Sequence, residues 1–393
     1  MVGISKLYCG TVEPSDALRY DRSSASMPSH LLQFSKDKRP VVVWNITQRC
    51  NLKCVHCYAH ATEKQKNNEL TLDQGKQLLD DLAKFGVPVV LFSGGEPLVR
   101  KDLPDLAEYA VSKGMRAVIS TNGTLINREM AQRLKDIGLS YVGISLDGTE
   151  SVNDKFRGVK GAFNSAMKGV ENCQHVGIKV GFRFTINNMN DNEIPEIFDI
   201  LENMDVPRIC FYHLVYAGRG SKMVEQDLTH AGTRKVVDYI MDRTKKMHDQ
   251  GRDTEVLTVD NHADGPYVYL RLLKENPERA KEVLSLLKMN EGNNSGRGIG
   301  CVSWNGDVHA DQFWRHKTFG NVCQTPFSQL WTNNPDPLLN QLKEKKKHVK
   351  GRCAKCKWLD VCGGNFRVRA EAVSGDVWAP DPACYLTDSE IGI

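Results

Sequence analysis

Residues 44–58 read Trp44-Asn45-Ile46-Thr47-Gln48-Arg49-Cys50-Asn51-Leu52-Lys53-Cys54-Val55-His56-Cys57-Tyr58. An apolar, strand-like run from Val41 to Ile46 leads directly into three thiols at C-x3-C-x2-C spacing. Thiolates are soft donors suited to zinc or to iron–sulfur centres. Three of them leave one coordination position open, so one iron of a four-iron cluster would be free for a distant residue or a small molecule. A structural zinc site completed by His56 or His60 competes with that reading. Spacing alone leaves both open.

Outward from this stretch the chain alternates. Strand-like runs lie at Val41 to Ile46, Val87 to Phe92, Arg116 to Ser120, Tyr141 to Leu146, Lys179 to Ile186 and Ile209 to Val215. Helix-period segments stand between them at Thr71 to Phe85, Leu103 to Ser112, Arg128 to Ile137, Phe163 to His175 and Glu193 to Asn203. Six strands separated by five helices predict parallel βαβ units and an α/β fold, either a doubly wound sheet or a barrel. Thr71 is placed to cap the first helix, and Gly86, Gly114 and Gly138 stand where the first three should end. A long amphipathic helix is expected over Leu228 to His248.

Three regions are expected. Residues 1–39 read as an irregular arm, rich in Ser, Pro and Asp, that holds the isolated thiol Cys9. Residues 40–251 carry the alternation. Residues 252–393 read as a smaller second domain organised around metal, in which Gly and Asn rise and cysteines return.

Composition bounds the chemistry. Of 393 residues 40% are hydrophobic and 25% charged, enough for a buried core and a ligand cavity. A net charge of +4 argues against a dedicated nucleic-acid binder. The basic run Lys343, Lys345, Lys346, Lys347, Lys350 and Arg352 reads as a solvated helix face and turn. No run of about 18 apolar residues and no signal peptide occur, which predicts a cytoplasmic protein with no membrane partner. In a reducing compartment the 12 cysteines are ligands sooner than disulfides. Cys173 and Cys210 fall in core elements and read as packing residues.

Further candidates sit at strand ends. In Ser93-Gly94-Gly95-Glu96-Pro97 the paired glycines would let backbone approach a ligand, and Glu96 could accept from an ammonium group. A tight turn is the plainer alternative. Ser120-Thr121-Asn122-Gly123 and Ser145-Leu146-Asp147-Gly148 end the third and fourth strands, the side on which barrels bind ligands, although caps and turns also explain them. Downstream, Cys353, Cys356 and Cys362 are spaced C-x2-C-x5-C, with Cys384 22 positions on. Four thiolates complete a closed iron–sulfur cluster or a zinc site.

With these motifs in this order, residues 41–216 resemble the radical S-adenosylmethionine (SAM) superfamily. The resemblance implies a partial (βα)6 barrel in which Cys50, Cys54 and Cys57 hold a [4Fe–4S] cluster whose fourth iron is chelated by SAM. It also places Tyr58 beside the cluster, Gly94, Gly95 and Glu96 at the methionyl amine, Ser145 and Asp147 near the ribose with Asn122 close by, and Arg183 against the SAM carboxylate. The tail is similar to the SPASM and twitch extensions of that superfamily, which implies that Cys353, Cys356, Cys362 and Cys384 bind one auxiliary [4Fe–4S] cluster. Phe366 and Asp311 stand where a second auxiliary cluster would need cysteines, and Cys301 and Cys323 remain unassigned. A low-potential electron donor is implied as well.

Three segments resemble the haem-biosynthesis branch of the superfamily: Ile4 to Pro14, Tyr212 to Gly220, and the single-cluster tail. That resemblance implies removal of two acetate side chains from didecarboxysirohaem, through a 5′-deoxyadenosyl radical, to give iron-coproporphyrin III. Such a tetrapyrrole carries several carboxylates, so Arg219 is the leading cationic contact. His213 and Tyr216 are expected at the barrel mouth, as proton donors or tetrapyrrole contacts, with packing at a strand end as the alternative. The alternatives are the related haem d1 branch, a SPASM-type peptide maturase, and a non-enzymatic iron–sulfur electron carrier.

Overall fold

The computed structural model describes residues 1–11, 39–64 and 68–393. Six parallel strands form its centre: β2 (Val41–Thr47), β3 (Val89–Gly94), β4 (Arg116–Thr121), β5 (Tyr141–Ser145), β6 (Val180–Ile186) and β7 (Arg208–His213). They pair in chain order, each with the next. The apolar runs read from the sequence suit strands covered on both faces. Helices Leu72–Phe85, Leu103–Ser112, Arg128–Asp136, Ala162–His175 and Ile194–Asn203 make the crossovers. This is the expected partial (βα)6 barrel, with every strand delivering its carboxyl end to one mouth.

Local chemistry sets the element ends. Thr71 Oγ1 accepts from Gln74 N while the Gln74 side chain returns to Thr71 N, a reciprocal cap on the first helix. Gly86 closes that helix at φ +84, a conformation that favours glycine. The amphipathic segment near residue 230 forms one helix, His230–Asp249.

The sheet passes the boundary expected at residue 252. Strand β8 (Glu255–Val259) adds parallel to β7, and β9 (Ile299–Val302) adds parallel to β2 at the opposite edge. The hairpin partner β10 (Val308–His309) follows β9. Helices Asp264–Glu275 and Pro277–Asn290 lie between β8 and β9. The sequence hid β8 because it opens on Glu255, a buried acid whose Oε2 lies 3.4 Å from Arg208 Nε.

The beginning of the arm is also ordered. Val2–Gly3 forms β1, antiparallel to β8, and Ser5–Cys9 makes one helical turn with Ser5, Lys6 and Leu7 buried. A two-residue strand has no periodicity to read, and its place comes from the edge it covers. Residues 12–38, which include the end of the Ile4 to Pro14 segment, lie outside the described residues.

The tail is fastened to the mouth by a fully buried pair. Arg369 Nε is 2.9 Å from Asp381 Oδ1, with neither side chain exposed. The same guanidinium donates to the carbonyls of Leu214 and Asp260, at the ends of β7 and β8. No helix among the described residues is long and apolar enough to cross a membrane.

Candidate functional site

The loop after β2 carries Cys50, Cys54 and Cys57 into one small apolar cluster with Leu52, Ala61 and Ala162. Each sulfur meets a donor. Leu52 N lies 3.3 Å from Cys50 Sγ, Ala61 N 3.4 Å from Cys57 Sγ, and Arg157 Nη1 3.6 Å from Cys54 Sγ. Such donors stabilise sulfur as thiolate. Burial and the neighbouring sulfurs act the other way, and burial pushes the Cys50 thiol up to about 12. Burial thus favours the protonated form at Cys50 and Cys54 until a metal takes the place of the proton.

Behind the loop lies a charge network that sequence reading did not find. Asp147 Oδ2 is 2.6 Å from Arg157 Nη2 and 3.3 Å from His56 Nε2. Asp147 Oδ1 accepts from Thr185 N at 3.2 Å. Asp147 therefore braces the cysteine loop through Arg157, and His56 is turned toward that carboxylate. Nothing local could signal this, because Arg157 and Cys54 are 103 residues apart.

The glycine pair has a reason in packing. A Cβ on Gly95 would sit 2.2 Å from Arg49 O, and one on Gly94 2.4 Å from Thr47 O. Gly95 N and Glu96 N donate to those same carbonyls at 2.8 and 2.9 Å. The close approach is to the root of the cysteine loop. Glu96 is fully buried and accepts from Leu98 N, Thr121 Oγ1 and Asn122 N at 3.0, 2.7 and 2.8 Å. An ionised carboxylate has about four lone-pair sites. Three are taken, which leaves one on Oε2 for a further donor. Burial raises the Glu96 pKa despite these bonds.

Asn122 Nδ2 donates to Asn51 Oδ1 at 2.9 Å and stands 4.0 Å from Cys50 Sγ. Tyr58 OH bonds Asn45 Oδ1 and Ser93 Oγ at 3.1 and 2.9 Å. Ser145 pairs in register with Arg183 across β5 and β6. Arg183 occupies the space over Gly143, with its guanidinium 5.8 Å from the Tyr212 ring.

A cavity of about 530 Å3 opens between this loop and the tail, lined by Tyr58, His60, Tyr216, Phe313, Arg315, His316 and Glu371 among others. Tyr58 and Phe313 meet edge to face at 5.2 Å. Of the expected substrate contacts, Tyr216 lines this space. Arg219 and His213 do not. Arg219 donates to the carbonyls of Cys54 and Ala61 at 2.7 and 2.8 Å, so it holds the cysteine loop. His213 Nε2 is 2.9 Å from Asp264 Oδ2, and Asp264 also accepts from Tyr385 OH at 2.6 Å. Phe313, Arg315 and His316 lie in an irregular stretch and Glu371 on the short helix Arg367–Ser374, and only the fold brings them together here.

In the tail, Cys362 is pushed up to about 12 by burial first and then by Cys384, Cys356 and Cys353. The four thiols thus share one neighbourhood. Trp358 N lies 3.3 Å from Cys356 Sγ and Arg352 Nη1 3.4 Å from Cys384 Sγ. Cys301 is buried on β9, where its sulfur accepts from Asn45 Nδ2 at 3.4 Å; Cys323 is exposed. Asp311 accepts from Phe313 N, Trp314 N and Ser295 Oγ, and Phe366 packs on Phe313 at 5.5 Å. Among the described residues no three Cys, His, Asp or Glu side chains are gathered to hold a single ion. A four-iron cube is a larger object, with its thiolates at separate corners. Two donor-lined thiol sets fit such clusters.

The sequence profile of the Radical SAM superfamily matches residues 44–201. The Fe-coproporphyrin III synthase of Methanosarcina barkeri (strain Fusaro) is 69% identical over 100% of this chain and 99% of its own. The pre-heme d1 synthase of Dinoroseobacter shibae is 45% identical, covering 90% of this chain and 88% of its own. In fold, the chain is similar to Streptococcus suis SuiB bound to its precursor peptide SuiA, with TM-score 0.70, 19% identity, and 93% and 84% of the two chains covered. Thiol loop, glycine-rich brace and six-stranded barrel thus coincide with a whole-length relative, and the chain belongs to the radical SAM superfamily.

Proposed function

We propose that this enzyme removes two acetate side chains from didecarboxysirohaem and yields iron-coproporphyrin III, a step of haem biosynthesis. The observation that carries the reading is the whole-length relative named Fe-coproporphyrin III synthase, at 69% identity. The cavity of about 530 Å3 supports it, being walled by aromatic rings and by Arg315 and His316. A flat macrocycle with acidic side chains suits such walls.

The enzyme works with a [4Fe–4S] cluster, SAM and one auxiliary [4Fe–4S] cluster. When bound, cluster and SAM together supply a 5′-deoxyadenosyl radical that takes hydrogen from the substrate. The chain's own residues do the rest. Cys50, Cys54 and Cys57 hold the first cluster, and Arg157 and Arg219 fix their loop. Glu96 offers its remaining lone pair to the methionyl ammonium, with Tyr58, Gly94, Gly95, Asn122 and Ser145 around the cofactor and Arg183 toward its carboxylate. Asp147 acts by positioning Arg157. Tyr58 and Phe313 keep water from the mouth. Arg315, which donates from Nη1 to the Ala59 carbonyl but has no partner on Nε among the described residues, pairs with a substrate carboxylate. Cys353, Cys356, Cys362 and Cys384 hold the auxiliary cluster.

We propose a cytoplasmic location, where the cluster cysteines are kept reduced, and a low-potential donor, which SAM cleavage at the first cluster requires. The test is anaerobic reconstitution, then incubation with SAM, a strong reductant and didecarboxysirohaem. Mass spectrometry should show loss of two acetate groups together with 5′-deoxyadenosine. Formation of 5′-deoxyadenosine beside an unchanged tetrapyrrole would overturn the substrate.

A further inference from the structure

His316 and Glu371 meet on the cavity wall, with Nε2 2.9 Å from Oε2. No step above uses this contact. His316 comes from the stretch after β10 and Glu371 from the helix Arg367–Ser374, so the tail's packing alone creates the pair. When Nε2 carries the proton donated to Glu371, the lone pair resides on Nδ1. The hydrogen bond to the Glu371 carboxylate also raises the imidazole pKa, making the ring a stronger base.

A histidine whose second nitrogen donates to a carboxylate is the usual arrangement of a metal-bound imidazole, because the carboxylate fixes the tautomer and strengthens the donor. Here the pair lies on the wall of a cavity with Tyr58, Tyr216, Phe313 and Arg315. His60, the other histidine on that wall, has no carboxylate partner among the described residues. Neither histidine belongs to the cysteine sets, so a metal they meet would arrive with the substrate.

We infer that His316, oriented by Glu371, is an axial ligand to the iron of the bound tetrapyrrole. This rests on the tetrapyrrole reading of the cavity. The macrocycle is anchored at its centre by imidazole, while Arg315 meets its carboxylate rim. Glu371 is a positioning residue, because it acts through the ring.

The experiment titrates the reconstituted holoenzyme with ferric coproporphyrin III and, separately, with metal-free coproporphyrin III, following the Soret band and the electron paramagnetic resonance of the ferric iron. Wild type should bind both and show a nitrogen-ligated spectrum with the ferric form. His316→Ala should weaken the ferric complex by about tenfold or more, lose that spectrum, and leave metal-free binding unchanged. Added imidazole should restore the spectrum. Glu371→Gln should keep the ligand and weaken ferric binding by a smaller factor.

Equal losses for the ferric and metal-free macrocycles would overturn the ligand assignment in favour of carboxylate pairing. An unaltered His316→Ala spectrum, or loss of the signature in His60→Ala instead, would overturn it as well. Failure of wild type to bind either macrocycle would instead remove the tetrapyrrole reading itself. The two failures are distinct.

Discussion

Arg157 Nη2 lies 2.6 Å from Asp147 Oδ2, with only 9% and 1% of the two side chains exposed. The same guanidinium reaches Cys54 Sγ, so a pair inside the barrel controls a sulfur at its mouth. Removing one member of a buried pair leaves an uncompensated charge and costs about 3–5 kcal/mol. Asp147→Ala should lower the denaturation midpoint accordingly and reduce iron content after reconstitution. Asp147→Asn should fall between. Full iron content with an unchanged midpoint would show that the pair does not brace the loop.

Gly95 has no room for a side chain. Its Cβ would lie 2.2 Å from the Arg49 carbonyl. Gly95→Ala should destabilise by about 1–3 kcal/mol, the range for overpacking, and displace the cysteine loop. The readout is a thermal melt beside iron and sulfide analysis. Wild-type values for both would refute the close approach.

Arg219 is committed to the carbonyls of Cys54 and Ala61. Arg219→Ala should therefore reduce retention of the first cluster, and with it SAM cleavage. Tetrapyrrole affinity measured on fully loaded protein should change little. A selective loss of substrate affinity with normal iron content would return Arg219 to the substrate.

The two cysteine sets should separate cleanly. Replacing Cys50, Cys54 and Cys57 by Ala should remove about half the iron and all SAM cleavage. Cys384→Ala should deplete the auxiliary cluster and leave reductive SAM cleavage without substrate measurable. Loss of all iron in both variants would mean that the clusters do not assemble independently.

Asp260 gives a pH signature. It follows β8 at φ +67, its Oδ2 is buried without a hydrogen-bond partner, and burial pushes its carboxyl up to about 7. An unfolded Asp ionises near about 3.9. Below that value the group is protonated in both states and contributes nothing to pH dependence. As pH rises from about 4 to about 7 the unfolded state ionises first, so stability falls, and the full penalty is present above 7. Asp260→Asn, which tolerates the left-handed backbone, should raise Tm increasingly from pH 5 to pH 8. A pH-independent difference would contradict the buried ionisation.

The six central strands, their crossover helices and both cysteine sets were legible in the chain. Apolar runs, helix caps and ligand spacings are local, and even the longest, from Cys353 to Cys384, stays within one short stretch of chain. That locality also explains what was not legible. β1 is only two residues long and β8 opens on an acid, and they are strands because a sheet edge accepts them. The glycine pair invited a ligand, yet it is the Arg49 and Thr47 carbonyls that demand it. Arg219 carried the right charge for a substrate but faces the cysteine loop, while Arg315, His316 and Glu371 line the cavity. The sequence by itself determined the thiol spacings and the alternation of strands and helices, because spacing and periodicity are properties of neighbours along the chain. Only the tertiary structure decided which charges brace the cysteine loop and which face the cavity, because direction depends on packing between residues far apart in sequence.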